Sequence, residues 1–295
     1  MVHHLGIRSK EKSFGFFPQV ISARDGHESP EIIVKSPSSW SYLGPLLHPS
    51  RDSLPESLHR WLRGTLEGEL LPSLIAFLIR INEFLQQKGL GHYWLTIRAT
   101  NATSEYDCPR WHNDEYFFDG EPESEEGNFG RWIHSIQKAL LMPSSLEHAT
   151  NWKLCGTIVG PSTLFIPEPH QMEARQVRDR VRQECSKDHV CPSIRCVGCA
   201  TAAEAVRHKL GEDYVRFGSV QPQKGQFAFF RVGSTEGAMH SEPKMDCDRI
   251  FVNVVPGTED ELKALASKWG VEYPRSWSFR VVDQRRGYVG DLCEL

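Results

Sequence analysis

Between residues 55 and 89 apolar side chains recur at steps of three and four. Leu58, Trp61, Leu62, Leu66 and Leu70 fall on one stripe and predict an amphipathic helix. Pro72 suits the first turn of a second helix, and Gly89 is placed to end it. The most apolar run, residues 70–81, is broken by Pro72 and Arg80 and is too short to span a bilayer, so it reads as a buried amphipathic helix. From His92 the pattern changes. "HYWLTIRAT" (92–100) is a strand by its aromatic and β-branched content. Two more strands are expected in residues 151–168, with Gly160-Pro161 as the turn between them, and others at 214–222, 225–233 and 248–257. Helices are expected at 173–188 and 201–211, and a capped one at 258–270, with Thr258 as N-cap and Glu261 completing a capping box. Residues 132–142 fit a short helix or a strand.

These elements predict one domain over residues 1–295. Residues 1–50, rich in Ser, Pro and Gly, read as an irregular arm with one strand in "EIIVKS" (31–36). A helical support follows at 51–90, then a strand-rich core at 91–257 with an insertion at 170–212, then a C-terminal helix and tail at 258–295. The acidic, glycine-rich stretch 119–131 is expected to be mobile. Helices first and strands after describe an α+β protein built round a β-sandwich or barrel.

Composition narrows the function. A chain of 295 residues can bury a sizeable core, and a formal charge of −4 gives no basic footprint for nucleic acid. The N-terminus lacks the apolar segment and cleavage site of a signal peptide, so a cytoplasmic, non-membrane protein is expected, with its cysteines as thiols or metal ligands.

The chemistry centres on "RWHNDEYFF" (110–118). His112 and Asp114 stand two apart, which places both side chains on one side of an extended segment. A further imidazole, His240, follows the strand at 225–233, and nine residues on Arg249 opens another strand. Two neutral imidazoles and a carboxylate on one face of a metal leave positions open, the arrangement suited to non-haem Fe(II). Asn113 should point away from that metal, with Trp111 packed beneath the strand and Glu115, Tyr116 and Phe117 at the pocket rim. In the strand from Arg249, Phe251 and Asn253 share the face of Arg249, whereas Ile250, Val252 and Val254 share the other. An inward arginine calls for an anion, and a carboxylate held bidentately is the natural one. Arg98, Thr157, Thr163 and Arg231 are further polar candidates, and a second inward cation, Arg98 or Arg231, would suit a substrate carrying its own carboxylate. Tyr93 and Trp94 join Trp111, Tyr116 and Phe117 as aromatics near the site or in the core.

On His112, Asp114, His240 and Arg249 the chain resembles the Fe(II)/2-oxoglutarate-dependent oxygenases. The resemblance covers roughly residues 93–255 and implies a double-stranded β-helix (jelly-roll, cupin-like) core flanked by N-terminal helices. It implies His112, Asp114 and His240 as iron ligands and catalytic centre. It also implies Arg249 as anchor of the distal carboxylate of 2-oxoglutarate, with Arg98 and Thr163 as further cosubstrate-binding candidates. Many members carry Ser or Thr two residues after the arginine; this chain has Phe251, so the cosubstrate pose is less defined than the metal site. The chain also resembles an uncharacterised family through Arg110–Asp114, Gly160–Thr163 and His240–Arg249. It is similar as well to fungal oxygenases of specialised metabolism that oxidise amino acids such as valine to an aziridine. The implied reaction is O₂-dependent oxidation of a small molecule, coupled to decarboxylation of 2-oxoglutarate to succinate.

A separate cluster, Cys185, Cys191, Cys196 and Cys199, includes a Cys-x-x-Cys spacing compatible with structural zinc. Two rival readings stay open: an iron oxygenase independent of 2-oxoglutarate, and a non-catalytic β-barrel binding protein with structural zinc.

Overall fold

Alternation along "HYWLTIRAT" sorts its side chains cleanly. Tyr93, Leu95, Ile97 and Ala99 are all fully buried on one face, while Trp94, Thr96 and Arg98 line a cavity on the other. The computed structural model, in which this is seen, describes residues 12–17, 32–118, 151–186 and 197–280. The stretch is strand β5 (His92–Thr100) of a seven-stranded, wholly antiparallel sheet. Its other strands are β1 (Phe14–Phe16), β3 (Ser38–Pro45), β6 (Trp152–Val159), β8 (Phe227–Arg231), β10 (Arg249–Gly257) and β11 (Arg275–Arg280), and the order is β1-β8-β6-β10-β5-β3-β11. A two-residue strand, β2 (Ile33–Val34), pairs with β4 (Leu66–Glu67) at the side.

The buried face of this sheet is covered by α1 (Glu56–Thr65) and α2 (Leu71–Gln87). Leu74, Leu78 and Ile81 repeat at helical spacing on α2 and are fully buried against Leu95, Ile97, Val252 and Val254. Each such side chain contributes about 1.5–3 kcal/mol by leaving water. Gly156 on β6 allows the closest approach: a Cβ there would lie 2.4 Å from the Phe77 ring of α2.

A second, smaller layer lies across the sheet's other face. In it β7 (Leu164–Phe165) pairs with β9 (His240–Ser241), and single bridges add His112 beside His240 and Val220 beside Phe165. The chain reaches this layer by leaving the main sheet after β5, again after β6, and again after β8. Phe165 packs between the layers, 5.4 Å from the Phe230 ring, in a cluster with Phe14, Cys155 and Ala228. Helices α3 (Gln171–Ser186) and α4 (Val197–Tyr214) back the small layer, and Ala174, Val177, Val206 and Leu210 close over Trp111, Ile166 and Met239. The expected insertion is therefore a scaffold for the small layer. Helix α5 (Glu259–Lys268) has the expected capping box between Thr258 and Glu261.

The protein is a mixed α/β fold with a large antiparallel sheet, and among the described residues no helix is long and apolar enough to cross a membrane. Three expectations are corrected. Residues 38–45 are a full strand of the main sheet, because Trp40 and Leu43 are fully buried while Ser39 and Ser41 face the cavity. Residues 275–280 are also a strand, β11, paired along the whole of β3. Residues 214–222 hold a 3₁₀ turn at Val215–Phe217 and contribute only Val220 to a bridge. Gly160-Pro161 is, as expected, the turn between β6 and β7, and it carries the chain from one layer to the other. Residues 119–131 and 132–142 lie outside the described residues.

Candidate metal centre

Trp111 and Asn113 point backwards and fix where His112 and Asp114 point. Trp111 is buried in the apolar cluster under α3 and α4. Asn113 Nδ2 donates to the Gly233 carbonyl at 2.9 Å, and its Oδ1 accepts from Arg178 Nη1 of α3 at 2.6 Å. His112 and His240 are direct cross-strand partners: each amide donates to the other's carbonyl, at 2.9 and 2.8 Å. Their rings stand 4.4 Å apart between centroids. Met239, beside His240, is held from behind by Gln171, whose Oε1 accepts from the Met239 amide at 2.7 Å.

The ligand atoms of His112, Asp114 and His240 lie within 4.8 Å of one another and can hold a metal ion. The tautomers suit that role. His112 Nδ1 lies 2.8 Å from the Arg110 carbonyl and His240 Nδ1 lies 2.9 Å from the Ala238 carbonyl. A carbonyl only accepts, so each Nδ1 carries a proton, and Nε2 is the atom that offers a lone pair to a metal. Burial, with the neighbouring His112, pushes His240 down to about 4, which keeps it neutral at physiological pH. Burial alone would push Asp114 up, but Lys153, His240 and His112 together hold its carboxyl well below the usual carboxylate range. Lys153 Nζ donates to Asp114 Oδ2 at 2.6 Å. Two neutral imidazoles and an ionised carboxylate are a donor set that fits a divalent transition metal.

The set opens into a cavity of about 1210 Å³. Arg249 lines it and is 4 % exposed. Its Nε donates to the Pro161 carbonyl at 3.0 Å, its Nη2 lies 3.4 Å from Thr163 Oγ1, and the guanidinium stacks 4.3 Å over Phe251. Burial pushes Arg249 down to about 10, so it stays cationic at neutral pH. Among the described residues no carboxylate lies within ion-pair distance of it. Phe251 and Asn253 line the same cavity, as alternation from Arg249 requires.

Of the other expected residues, Arg98, Thr163, Trp94 and Phe117 line the cavity. Thr157 is buried on the same face of β6 as Cys155, and its hydroxyl has no hydrogen-bond partner. Arg231 is corrected: it pairs with Glu236 and lies 5.3 Å over Trp152, outside this cavity. Tyr93 belongs to the helix-covered core, where its hydroxyl accepts from the Leu47 amide at 3.1 Å. Tyr116 packs on Gly233, and Glu115 is exposed, so only Phe117 of the three expected rim residues reaches the cavity. Cys185 is an exposed free thiol; Cys191 and Cys196 lie outside the described residues, as does the side chain of Cys199, and the zinc expectation lies there with them.

Sequence reasoning missed Lys153 and Glu242. Lys153 sits on the cavity face of β6, two residues from Cys155, and period-two alternation from Cys155 was the available signal. Glu242 follows His240 by two on an extended segment and carried the same signal. Ser39, Ser41 and Trp277 were missed with their strands.

The chain matches no protein-family model, and comparison with curated proteins and with solved structures likewise finds no match.

Proposed function

We propose that the protein is a non-haem Fe(II)/2-oxoglutarate-dependent oxygenase acting on a small molecule. The observation that carries this reading is the convergence of His112, Asp114 and His240 in a cavity whose wall also holds the buried cation Arg249, which among the described residues has no carboxylate within ion-pair distance. The strand path supports it. β5, β6, β8 and β10 lie in one sheet and the segments at 112, 164–165, 220 and 240–241 in the other, the chain crossing between them as in an eight-stranded jelly roll.

In this reading His112, Asp114 and His240 would hold ferrous iron. Arg249, oriented by Pro161 and Thr163 and stacked on Phe251, binds the far carboxylate of 2-oxoglutarate. When bound, the iron, 2-oxoglutarate and O₂ would supply the oxidising power, the four electrons for O₂ coming in equal parts from oxidative decarboxylation of 2-oxoglutarate to succinate and CO₂ and from the substrate. Lys153 keeps Asp114 ionised and fixes one of its oxygens. Phe230, 4.7 Å from the His240 ring, and Phe117, 5.7 Å from Lys153 Nζ, put apolar surface beside the ligand set.

Anaerobic addition of Fe(II) and 2-oxoglutarate should give a visible charge-transfer band, and admission of O₂ with a panel of amino acids and their derivatives should release succinate. H112A should lose both responses. Consumption of 2-oxoglutarate by H112A at the wild-type rate would sink the assignment, and turnover without succinate would favour an oxygenase that draws its electrons from the substrate alone.

A further inference from the structure

The face of α3 turned toward the small layer carries two polar side chains where a core-facing stripe calls for apolar ones. Gln171, Ala174, Val177 and Arg178 are all buried, at the three- and four-residue steps of one helix face, while Met172, Glu173, Gln176 and Asp179 are exposed. Gln171 is 1 % exposed and Arg178 2 %. They stand about two helical turns apart and so share one side of α3. Burying an amide or a guanidinium is costly unless hydrogen bonds replace the lost water.

Here the replacement partners include the immediate neighbours of the metal ligands. Gln171 Oε1 accepts from the Met239 amide at 2.7 Å, and its Nε2 donates to the Ile166 carbonyl at 2.7 Å and to the Met239 carbonyl at 3.1 Å. Its side-chain amide offers the donor and acceptor of a peptide group, so it extends the β7–β9 pairing as one more strand residue would, one position before His240. Two turns on, Arg178 donates to Asn113 Oδ1, between His112 and Asp114, and to the Ser234 carbonyl at 2.5 Å. Trp111 and Met239, which precede His112 and His240, pack in one apolar cluster with Ala174 and Val177.

Strand alternation explains the pattern. A ligand side chain points into the cavity, so its neighbours along the chain point the other way. Trp111, Asn113 and Met239 are those neighbours. They come from two separate segments, and one helix face receives them all. The backbone pairing of His112 with His240 sets their register. α3 sets how both segments lie behind that pairing, and sites of this kind tolerate displacements of only about 0.5 Å.

We infer, on the reading of His112, Asp114 and His240 as a metal site, that α3 is the positioning element of that site. Gln171 and Arg178 are its positioning residues, and docking of the helix and metal binding are one linked equilibrium. Whatever favours the docked helix favours the bound ion, and the ion in turn favours the docked helix.

The probe is Co(II), whose visible absorption reports its ligand geometry, titrated into the full-length protein. Gln171→Leu and Arg178→Met should each weaken Co(II) binding by roughly 10–100-fold and alter the visible band of the bound ion. Arg178→Lys, which keeps the charge, should recover part of the loss. Leu78→Ala is the control. It empties a fully buried position on α2, in the core on the other face of the main sheet, and should lower the denaturant midpoint while leaving Co(II) affinity and spectrum unchanged. Hydrogen exchange of the unaltered protein needs no variant: the α3 amides should slow roughly in proportion to free Co(II) above its dissociation constant. Folded Q171L and R178M with wild-type affinity and spectrum, a loss in L78A as large as theirs, or α3 exchange indifferent to the ion would each overturn the positioning role and leave the metal centre in place. Failure of the wild type to bind Co(II), or binding undiminished in H112A, would overturn the metal reading and the positioning role with it. Should either α3 variant not fold, the exchange result alone decides.

Discussion

Arg178 Nη1 donates to Asn113 Oδ1 at 2.6 Å, so a fully buried guanidinium on α3 holds the residue that lies between two proposed metal ligands. The same guanidinium donates to the Ser234 carbonyl at 2.5 Å and to Asp179 at 2.8 Å. Asn113 in turn ties the segment to Gly233, whose own amide donates to the Asp114 carbonyl at 2.8 Å. The small layer is thus pinned from behind at the point where His112 and Asp114 leave it.

Asn113→Ala should therefore weaken the metal site without touching a ligand. It leaves a buried cation one acceptor short, which costs about 2–3 kcal/mol of stability. It also frees His112 and Asp114 to rotate, and loss of such outer support lowers metal affinity by roughly 10–100-fold. Denaturant unfolding and a Co(II) titration of the same preparation measure the two effects. Wild-type metal affinity in a folded N113A would show that Arg178 serves packing alone.

Lys153 presents an opposite sign. Its ammonium stabilises the ionised Asp114 in the metal-free protein, with both side chains largely buried. A divalent cation bound to Asp114 is repelled by the same charge. Lys153→Met should lower the stability of the metal-free protein by about 1–3 kcal/mol and tighten metal binding by a few-fold, roughly 1 kcal/mol. Weaker Co(II) binding in K153M would mean that the lysine orients the carboxylate more than it competes for it.

How much of this was legible in the sequence follows from where each signal is local. His112-x-Asp114 lies on one short extended segment, and the β10 alternation from Arg249 to Asn253 is a run of two-residue steps, so both were readable without tertiary information. The capping box at Thr258 and Glu261 is likewise a three-residue pattern. β3 was not readable, because "SSWSYLGP" is serine-rich on its cavity face and its apolar content, Trp40 and Leu43, breaks strict alternation. β11 exists through its pairing with β3, a partner more than two hundred residues away. The Arg178 strut was hidden for the same reason: in "EARQVRDRVRQ" it is one arginine of several, and only the packing of α3 on the small layer buries it. Arg231 illustrates the opposite error. Alternation gave it an inward face, but it stands at the end of β8, where Glu236 lies within reach.

Cys155 gives a prediction with a definite pH direction. It is fully buried, its thiol lies 3.8 Å from Thr163 Oγ1, and burial pushes it up to about 11 from an ordinary value near 9. Because the folded value is the higher one, the folded state binds more protons than the unfolded state between about pH 9 and 11. Its contribution to stability is complete below pH 9 and declines as pH rises through that window. Cys155→Ser should flatten the fall in denaturant midpoint between pH 8 and 11. Mass spectrometry after brief alkylation at pH 8 should find exposed Cys108, Cys185 and Cys247 modified and Cys155 unmodified. Rapid labelling of Cys155 in the folded protein would contradict this placement.

Gly160 bears on Arg249 from the end of the neighbouring strand, and a comparison with Gly89 isolates how. Both glycines have positive φ, 85° and 73° respectively. Alanine at either position costs about 1–2 kcal/mol for the left-handed backbone alone. At Gly89, past the end of α2, an added Cβ meets nothing within 4 Å. At Gly160 the same atom would lie 2.6 Å from the Asp248 carbonyl oxygen, 3.1 Å from Arg249 Cα and 3.2 Å from Arg249 Cβ. These are backbone and near-backbone atoms of a central strand, so relief requires that the 160–163 corner or the start of β10 move. That corner supplies both groups that orient the guanidinium, the Pro161 carbonyl and the Thr163 hydroxyl. Gly160→Ala should therefore cost about 1–2 kcal/mol more than Gly89→Ala. It should also weaken binding of the proposed cosubstrate, 2-oxoglutarate, by roughly tenfold or more through misorientation of Arg249, whereas Gly89→Ala should change stability only. Denaturant unfolding of both variants and a titration of the metal-loaded protein with 2-oxoglutarate make the comparison. Equal costs with unchanged cosubstrate affinity would remove the corner from the account of how Arg249 is held.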